Sequence, residues 1–558
     1  MSQRPFPLLQ RIPVPTGTDA FEAQRAAIVN SFISKVPEAY FVPQHFIDPP
    51  PKNVTGIPRS CGVLSPEEIE ITETYDAVGL AAAIATRKYT AVAVTTAFVK
   101  RAIVCHQISC CLTQWFPDEA IARAKQLDEH LERTGKTVGP LHGVPVSIKE
   151  HIPIEGRTSS YGFVGTIMDD EHDAQMVVIL RDLGAVFYVK TNQPQGIMHL
   201  ESDSFFGRTL NPHNIDLSPG GSSGGESALI ALRGSILGVG TDIGGSIRNP
   251  AAVCGIYGFK STAYTLPMKR FLPSGFPAEL NVLGSTGPMC HTLRDMDFFM
   301  HLILYRKPYL SDPRLIPAPW TGLKTPDLPR PLKVGIMMTD GHITPQPPVI
   351  RALEWARSRL SSSSTIDLKP YTPYKAAEAL RLINIMFLPD NGLHIKEECE
   401  KTGEPLHPLT EHLFKACTDT SREMTATEIT ALRFERDNFR CAFADDWNEQ
   451  DVDAVLCPAF VGPAAMHETA RHWGYTSLWN FVDYPGVTFP TPIKAGKKGE
   501  EAYQTDEMLS EDDREVRRLW DEGDFEGAPV NLQLVTRKYH DNQLFGVLNV
   551  MKDLLELK

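Results

Sequence analysis

Between Lys190 and Lys260 the chain has no lysine, although this window holds the glycine- and serine-rich run SPGGSSGGESALIALRGSILGVGTDIGGSIRNP, residues 218–250. A P-loop, GxxxxGK[ST], needs that lysine to meet the β- and γ-phosphates, so a phosphate cradle of this type is excluded. The dinucleotide fingerprint GxGxxG is missing too, because Gly238-Val239-Gly240 continues as Thr-Asp-Ile. The ten cysteines include no CxxC pair. Their one dense patch, Cys105, His106, Cys110 and Cys111, lies in helix-like text and reads as buried thiols rather than a metal site. No metal and no cofactor is expected, and reduced thiols fit an intracellular chain. No run of 18 apolar residues occurs, and Arg, Pro and Gly break up the N-terminus. Neither a transmembrane segment nor a secretory signal is expected, and the predicted location is cytoplasmic. A basic surface is also lacking: the net charge is −13 and the pI near 5.7, which argues against a nucleic-acid partner.

What is present suits a globular chain with a large core. At 558 residues, 42% apolar and 22% charged, the length favours more than one domain. Residues 20–33 read as a helix in an N-terminal extension, followed by a Pro-rich stretch. Ser65-Pro66-Glu67-Glu68 carries a helix start, with Ser65 as cap, Pro66 at the first helical position and Glu68 closing a capping box. Apolar spacing over residues 75–102 predicts two amphipathic helices broken near Tyr89-Thr90.

Strand and helix text then alternate. HGVPVSIKE (residues 142–150) is a short β-like run ending in lysine; AQMVVILRDLG (174–184) is a helix with a glycine at its end; AVFYVKTN (185–192) is a buried strand. ESALIALRG (226–234) is helical again. After a Pro-rich connector, LKVGIMMTD is a strand, residues 374–447 are mostly helical, and DVDAVLCPAF (451–460) is a buried strand. The charged stretch 494–525 reads as a solvated insertion, and APVNLQLV (528–535) as the strand that closes the sheet. This alternation predicts an α/β fold with helices packed on a mixed sheet.

The glycine-rich run leaves two readings beside tight turns. Gly220-Gly221-Ser222-Ser223-Gly224 satisfies GxSxG, but the nucleophile elbow needs a strand running into its serine, and NPHNIDLSP is loop text. The other reading rests on two serines. Ser222 stands just before a helix, and Ser246 ends Thr-Asp-Ile-Gly-Gly-Ser, where glycines let backbone amides converge as a tetrahedral oxyanion requires.

These residues carry a family resemblance. Residues 220–250 resemble the signature segment of the amidase signature family of serine hydrolases, and GPLHGVPVSIKE (139–150) resembles its lysine segment. TNQPQ (191–195), GRTLNP (207–212), CGIYGFKST (254–262) and GAPVNLQLV match in order and spacing, so the likeness runs from about residue 64 to 547. Within the family the chain is most similar to fungal general amidases of the acetamidase type, and next to fatty acid amide hydrolase. The resemblance implies an amidase signature fold: a central mixed β-sheet of many strands covered by helices on both faces. It implies an N-terminal helical and loop extension over 1–63 and an amidase domain over 64–550. That domain divides into a catalytic core at 64–305, a connector at 307–331 and further α/β and lid elements at 332–550.

The resemblance also assigns roles. Ser246 is the nucleophile, Ser222 the bridging serine and Lys149 the base. The backbone amides of Ile243, Gly244, Gly245 and Ser246 hold the oxyanion. Ile197 and Met198 lie at the substrate, and Ser223, Asp242 and Arg248 give structural support. The chemistry is coherent: a serine hydroxyl needs a neighbouring base, and a lysine serves only when burial or nearby positive potential lowers its pKa. The implied partner is a small-molecule amide, and the resemblance is compatible with a homodimer. A glutamine-dependent subunit of the tRNA amidotransferase type, a fatty or natural-product amide hydrolase, and a catalytically inert scaffold of the same fold are the competing readings.

Overall fold

A computed structural model describes residues 5–272, 282–325, 331–417 and 422–558. Part of the expected connector, residues 326–330, lies outside the described residues. One large sheet organises the chain. Its strands are β1 (Leu112–Trp115), β2 (Pro145–Lys149), β3 (Val186–Thr191), β4 (Leu237–Asp242), β5 (Tyr257–Lys260), β6 (Ser285–Cys290), β7 (Leu332–Ile336), β8 (Ile366–Pro370), β9 (Ala454–Pro458), β10 (Gly486–Lys494) and β11 (Pro529–Val535). They lie in the order β1-β3-β2-β4-β6-β5-β10-β11-β9-β7-β8. The sheet is mixed: β3, β2 and β4 are mutually parallel, as are β8, β7 and β9, while β6, β5, β10 and β11 join the two groups through antiparallel pairs. This is the expected mixed α/β sheet.

The parallel strands explain their own sequences. Every residue of β2, β3 and β4 is buried, as strands covered on both faces require, and in β3 this shows as the continuous apolar run Val186–Val189. The helix starts follow their signals. Ser65 accepts the Glu68 amide while the Glu68 carboxylate reaches back to the Ser65 amide, the full capping box. Thr90 caps Ala91–Ser109 and separates it from Ala77–Ala85, at the expected break. Ala91–Ser109 is 19 residues long and apolar enough to cross a membrane by length and composition, yet the fold encloses it, 78% of it buried. The extension contributes Leu9, Phe32, Val42 and Val54 to the same apolar cluster as the sheet.

Two expectations need correction. Pro529–Val535 does not close the sheet: β11 lies inside it, between β10 and β9, and the edge strand on that side is β8. The charged stretch is not merely solvated either. It contains the helix Glu511–Glu522, which buries Val516, Leu519 and Trp520, with Asp513 accepting the amides of Thr344 and Leu509. A polar-rich sequence hides such a face, since few apolar residues at helical spacing suffice to anchor it. The thiols of Cys105, Cys110 and Cys111 are buried, and His106 Nδ1 accepts the Leu112 amide at 3.1 Å.

Candidate active site

The parallel strands β3, β2 and β4 all end on the same edge of the sheet, the usual place for a site in an α/β fold. β2 ends in Lys149, whose strand partner on β3 is Thr191, and β4 ends in Thr241-Asp242. Lys149 is fully buried, with Nζ 2.7 Å from Ser222 Oγ and 3.2 Å from Thr241 Oγ1. Burial pushes its pKa down to about 7, although the carboxylates of Asp242 and Glu226 pull the other way. Glu226 is itself buried, and burial raises its carboxyl to about 7. His151, one turn of chain beyond Lys149, is 2.7 Å from Gln193 Oε1 through Nδ1, and burial holds it well below its ordinary pKa. Burial thus moves all three groups toward their neutral forms, lowering Lys149 and His151 and raising Glu226.

Ser222 and Ser246 stand on two loops that meet. The Ser223 amide donates to the Ser246 carbonyl at 3.1 Å, and Ser223 Oγ reaches the Thr241 carbonyl at 3.5 Å, so Ser223 ties the loops together. Ser246 is only 6% exposed, and its hydroxyl has no hydrogen-bond partner among the described residues.

The loop before Ser246 is wound around one carboxylate. Asp242 accepts the amides of Gly245 at 2.8 Å, Ile247 at 3.2 Å and Arg248 at 3.3 Å. The Arg248 guanidinium adds bonds of 3.0 and 3.1 Å, and Asn480 Nδ2 one of 2.8 Å. Burial pushes the Asp242 carboxyl up, but the Arg248 charge and these bonds outweigh it and hold the group well below the usual carboxylate range. Arg248 spends its remaining donors on the Thr476 carbonyl, Asn480 Oδ1 and Gln533 Oε1. Both members of the pair are fully buried, which places Arg248 in the scaffold of the loop.

Of the amides expected to hold an oxyanion, that of Gly245 is committed to Asp242, which corrects the expected set. Those of Ile243, Gly244 and Ser246 have no acceptor among the described residues. Gly245 has φ +128°, and a Cβ there would stand 2.1 Å from Thr476 Oγ1, so only glycine fits. Thr476 Oγ1 donates to the Gly244 carbonyl at 2.8 Å, and the Phe387 ring packs against Gly244.

The helix Gly224–Ala231 follows Ser222 as expected, but its first amides are taken: Gly224 donates to Ser202 Oγ and Gly225 to the Asn192 carbonyl. Ile197 and Met198 are buried, and Ile197 is held at φ 59°. They lead into residues 199–201, whose carbonyls press on Gly221 so closely that a Cβ there would lie 2.5 Å from two of them. Sequence reasoning missed Thr241, Thr476, Asn480, Ser202 and Phe387. Thr476 and Asn480 share a helix face at a four-residue spacing, a signal that was visible, but nothing in the text says which loop that face meets.

Comparison with known proteins gives a consistent picture. The family model described as Amidase matches residues 93–545. A putative amidase of Schizosaccharomyces pombe is 40% identical over 507 residues, 90% of this chain and 93% of that protein. An acetamidase of Emericella nidulans is 32% identical, over 91% of this chain and 94% of its own length. Among solved structures, fatty acid amide hydrolase superposes with a TM-score of 0.87 at 31% identity, covering 96% of this chain and 95% of that one.

Proposed function

We infer, because the chain belongs to the Amidase family, that Lys149, Ser222 and Ser246 form the proton relay and nucleophile with which it cleaves a carboxylic acid amide. The protein is an amidase, a hydrolase of amide C–N bonds; the triad and the acyl-enzyme are our reading. The observation that carries it is the 2.7 Å contact between a fully buried Lys149 and Ser222.

In this mechanism the neutral Lys149 amine takes the Ser222 proton as Ser222 takes that of Ser246. Ser246 Oγ bonds to the amide carbonyl carbon, and the amides of Ile243, Gly244 and Ser246 receive the oxyanion. Collapse expels the nitrogen, which takes a proton back through Ser222 and leaves as ammonia or an amine. Water, deprotonated by the same relay, then releases the carboxylate and restores Ser246. Positioned proton transfer of this kind contributes roughly 10²–10⁴-fold.

The acyl group is bracketed by relatives, one named acetamidase and the other fatty acid amide hydrolase. We read the chain as a monocarboxylic acid amide hydrolase of the former kind, with fatty or natural-product amides as the alternative. The test is a series of primary amides of graded acyl length, following ammonia release. Preference for short acyl groups supports the acetamidase-like reading, and rising kcat/KM with chain length overturns it.

A further inference from the structure

The loop carrying Ser222 is gripped by a hydroxyl from another segment. Ser202, 1% exposed, accepts the Gly224 amide at 2.9 Å and lies 3.2 Å from the carbonyl oxygens of both Gly220 and Ser222. Its single proton serves those two carbonyls, while its lone pairs take the amide. The approach is close: a Cβ on Gly224 would stand 2.4 Å from Ser202 Oγ. Ser202 is in turn fixed. Its carbonyl accepts the Thr209 amide at 2.9 Å and Asn192 Nδ2 at 3.3 Å. Asn192 directly follows Thr191, the strand partner of Lys149, and its own carbonyl accepts the Gly225 amide at 3.1 Å. Ser222 and Lys149 are thus both referenced to residues 191–202, Lys149 through the sheet and Ser222 through Ser202.

We propose that Ser202 is a positioning residue of the amidase reaction, holding the peptide groups around Ser222 so that its hydroxyl stays in register with Lys149. This rests on the relay proposed above. Ser202 reaches neither the nucleophile nor the oxyanion amides, and its effect passes entirely through the placement of Ser222. A relay of this kind is sensitive to small displacements, since misplacement by about 1 Å can cost on the order of 10²-fold in rate.

The experiment compares wild type, Ser202→Ala and Ser222→Ala by kcat, KM and thermal melting. Ser202→Ala is expected to lower kcat about 10- to 100-fold with KM unchanged and a cooperative melt retained. A merely structural serine would lower the melting temperature and leave the kcat of the folded enzyme intact. If Ser202→Ala does not fold, Ser202→Cys keeps the size and weakens the hydrogen bonds, and a smaller loss in kcat at constant KM is expected of it. Folded Ser202→Ala, or Ser202→Cys in its place, with wild-type kcat, or with a change in KM alone, while Ser222→Ala is inactive, overturns the proposal and leaves the relay standing. Wild-type turnover by Ser222→Ala overturns the relay itself, and the proposal with it.

Discussion

The two loops that bring serines together are built from opposite chemistry. The Ser222 loop is held by neutral groups: Ser202, the Asn192 carbonyl, and Asn249, whose Oδ1 accepts the Gly221 amide at 3.2 Å. The Ser246 loop is wound on a buried ion pair, Asp242–Arg248, with Asn480 and Thr476 closing around it. A neutral clamp costs little to bury and fails by small steps. An ionic clamp has paid desolvation for two charges, so removal of one partner strands the other. The two regions are not electrostatically separate: the Asp242 carboxylate of the ionic clamp, with that of Glu226, pulls the Lys149 pKa up against the larger effect of burial.

The largest effect tests the lysine between the loops. Lys149→Ala should lower kcat by roughly 10²–10⁴-fold with the fold intact, since neither clamp uses its side chain; unchanged turnover in a steady-state assay would remove it from the relay. Next comes the ionic clamp. Arg248→Ala leaves Asp242 buried and uncompensated and should cost about 3–5 kcal/mol in urea unfolding. A wild-type midpoint would show that the pair does not hold the loop.

The pH dependence separates the two regions. In the proposed relay Lys149 acts as a neutral amine, and burial lowers its pKa to about 7, so kcat/KM should rise with pH through about 7 and fall roughly tenfold per unit below it. Asp242 is held below its unfolded value, so its contribution to stability is fully present above the ordinary Asp range near 4 and is lost only as pH falls beneath that. Activity should therefore disappear between pH 7 and 5 while the melting temperature keeps the Asp242 contribution. Lys149 has the opposite thermodynamic sense: its lowered pKa costs stability at neutral pH, and the cost shrinks as pH rises toward 10.5. An activity midpoint near 4 would transfer the titration to another group. The smallest effect is expected from Thr476→Val, which removes one hydrogen bond to the Gly244 carbonyl and should cost about 0.5–1.5 kcal/mol in the same unfolding assay.

Local chemistry made much of this legible. The capping box at Ser65, the strand ending in Lys149 and the helix after Ser222 all follow from short-range rules. Asp242 and Arg248 could be suspected as a pair because six residues separate them. Thr476, Asn480 and Gln533 could not, since their partners lie more than 200 residues away and only the sheet brings β11 and the helix Gly474–Phe481 to the loop. Ser202 was silent for another reason: a serine in loop text is ordinary, and its value comes from the close approach that Gly224 permits. Strands β5 and β6 escaped notice because YGFK and STGPMC carry glycine or proline inside the strand, where those residues argue against one. The committed Gly245 amide could not be excluded from sequence, because its engagement depends on where the Asp242 carboxylate turns.

The central claim is that Ser246, aligned through Ser222 to a neutral buried lysine, is the attacking atom. A fluorophosphonate, which traps activated serines as a stable phosphonyl ester, reads this directly when the labelled peptide is mapped by mass spectrometry. The account predicts a single adduct on Ser246, formed far more slowly in Lys149→Ala. An adduct on another residue, or none on the folded wild-type protein, would contradict it.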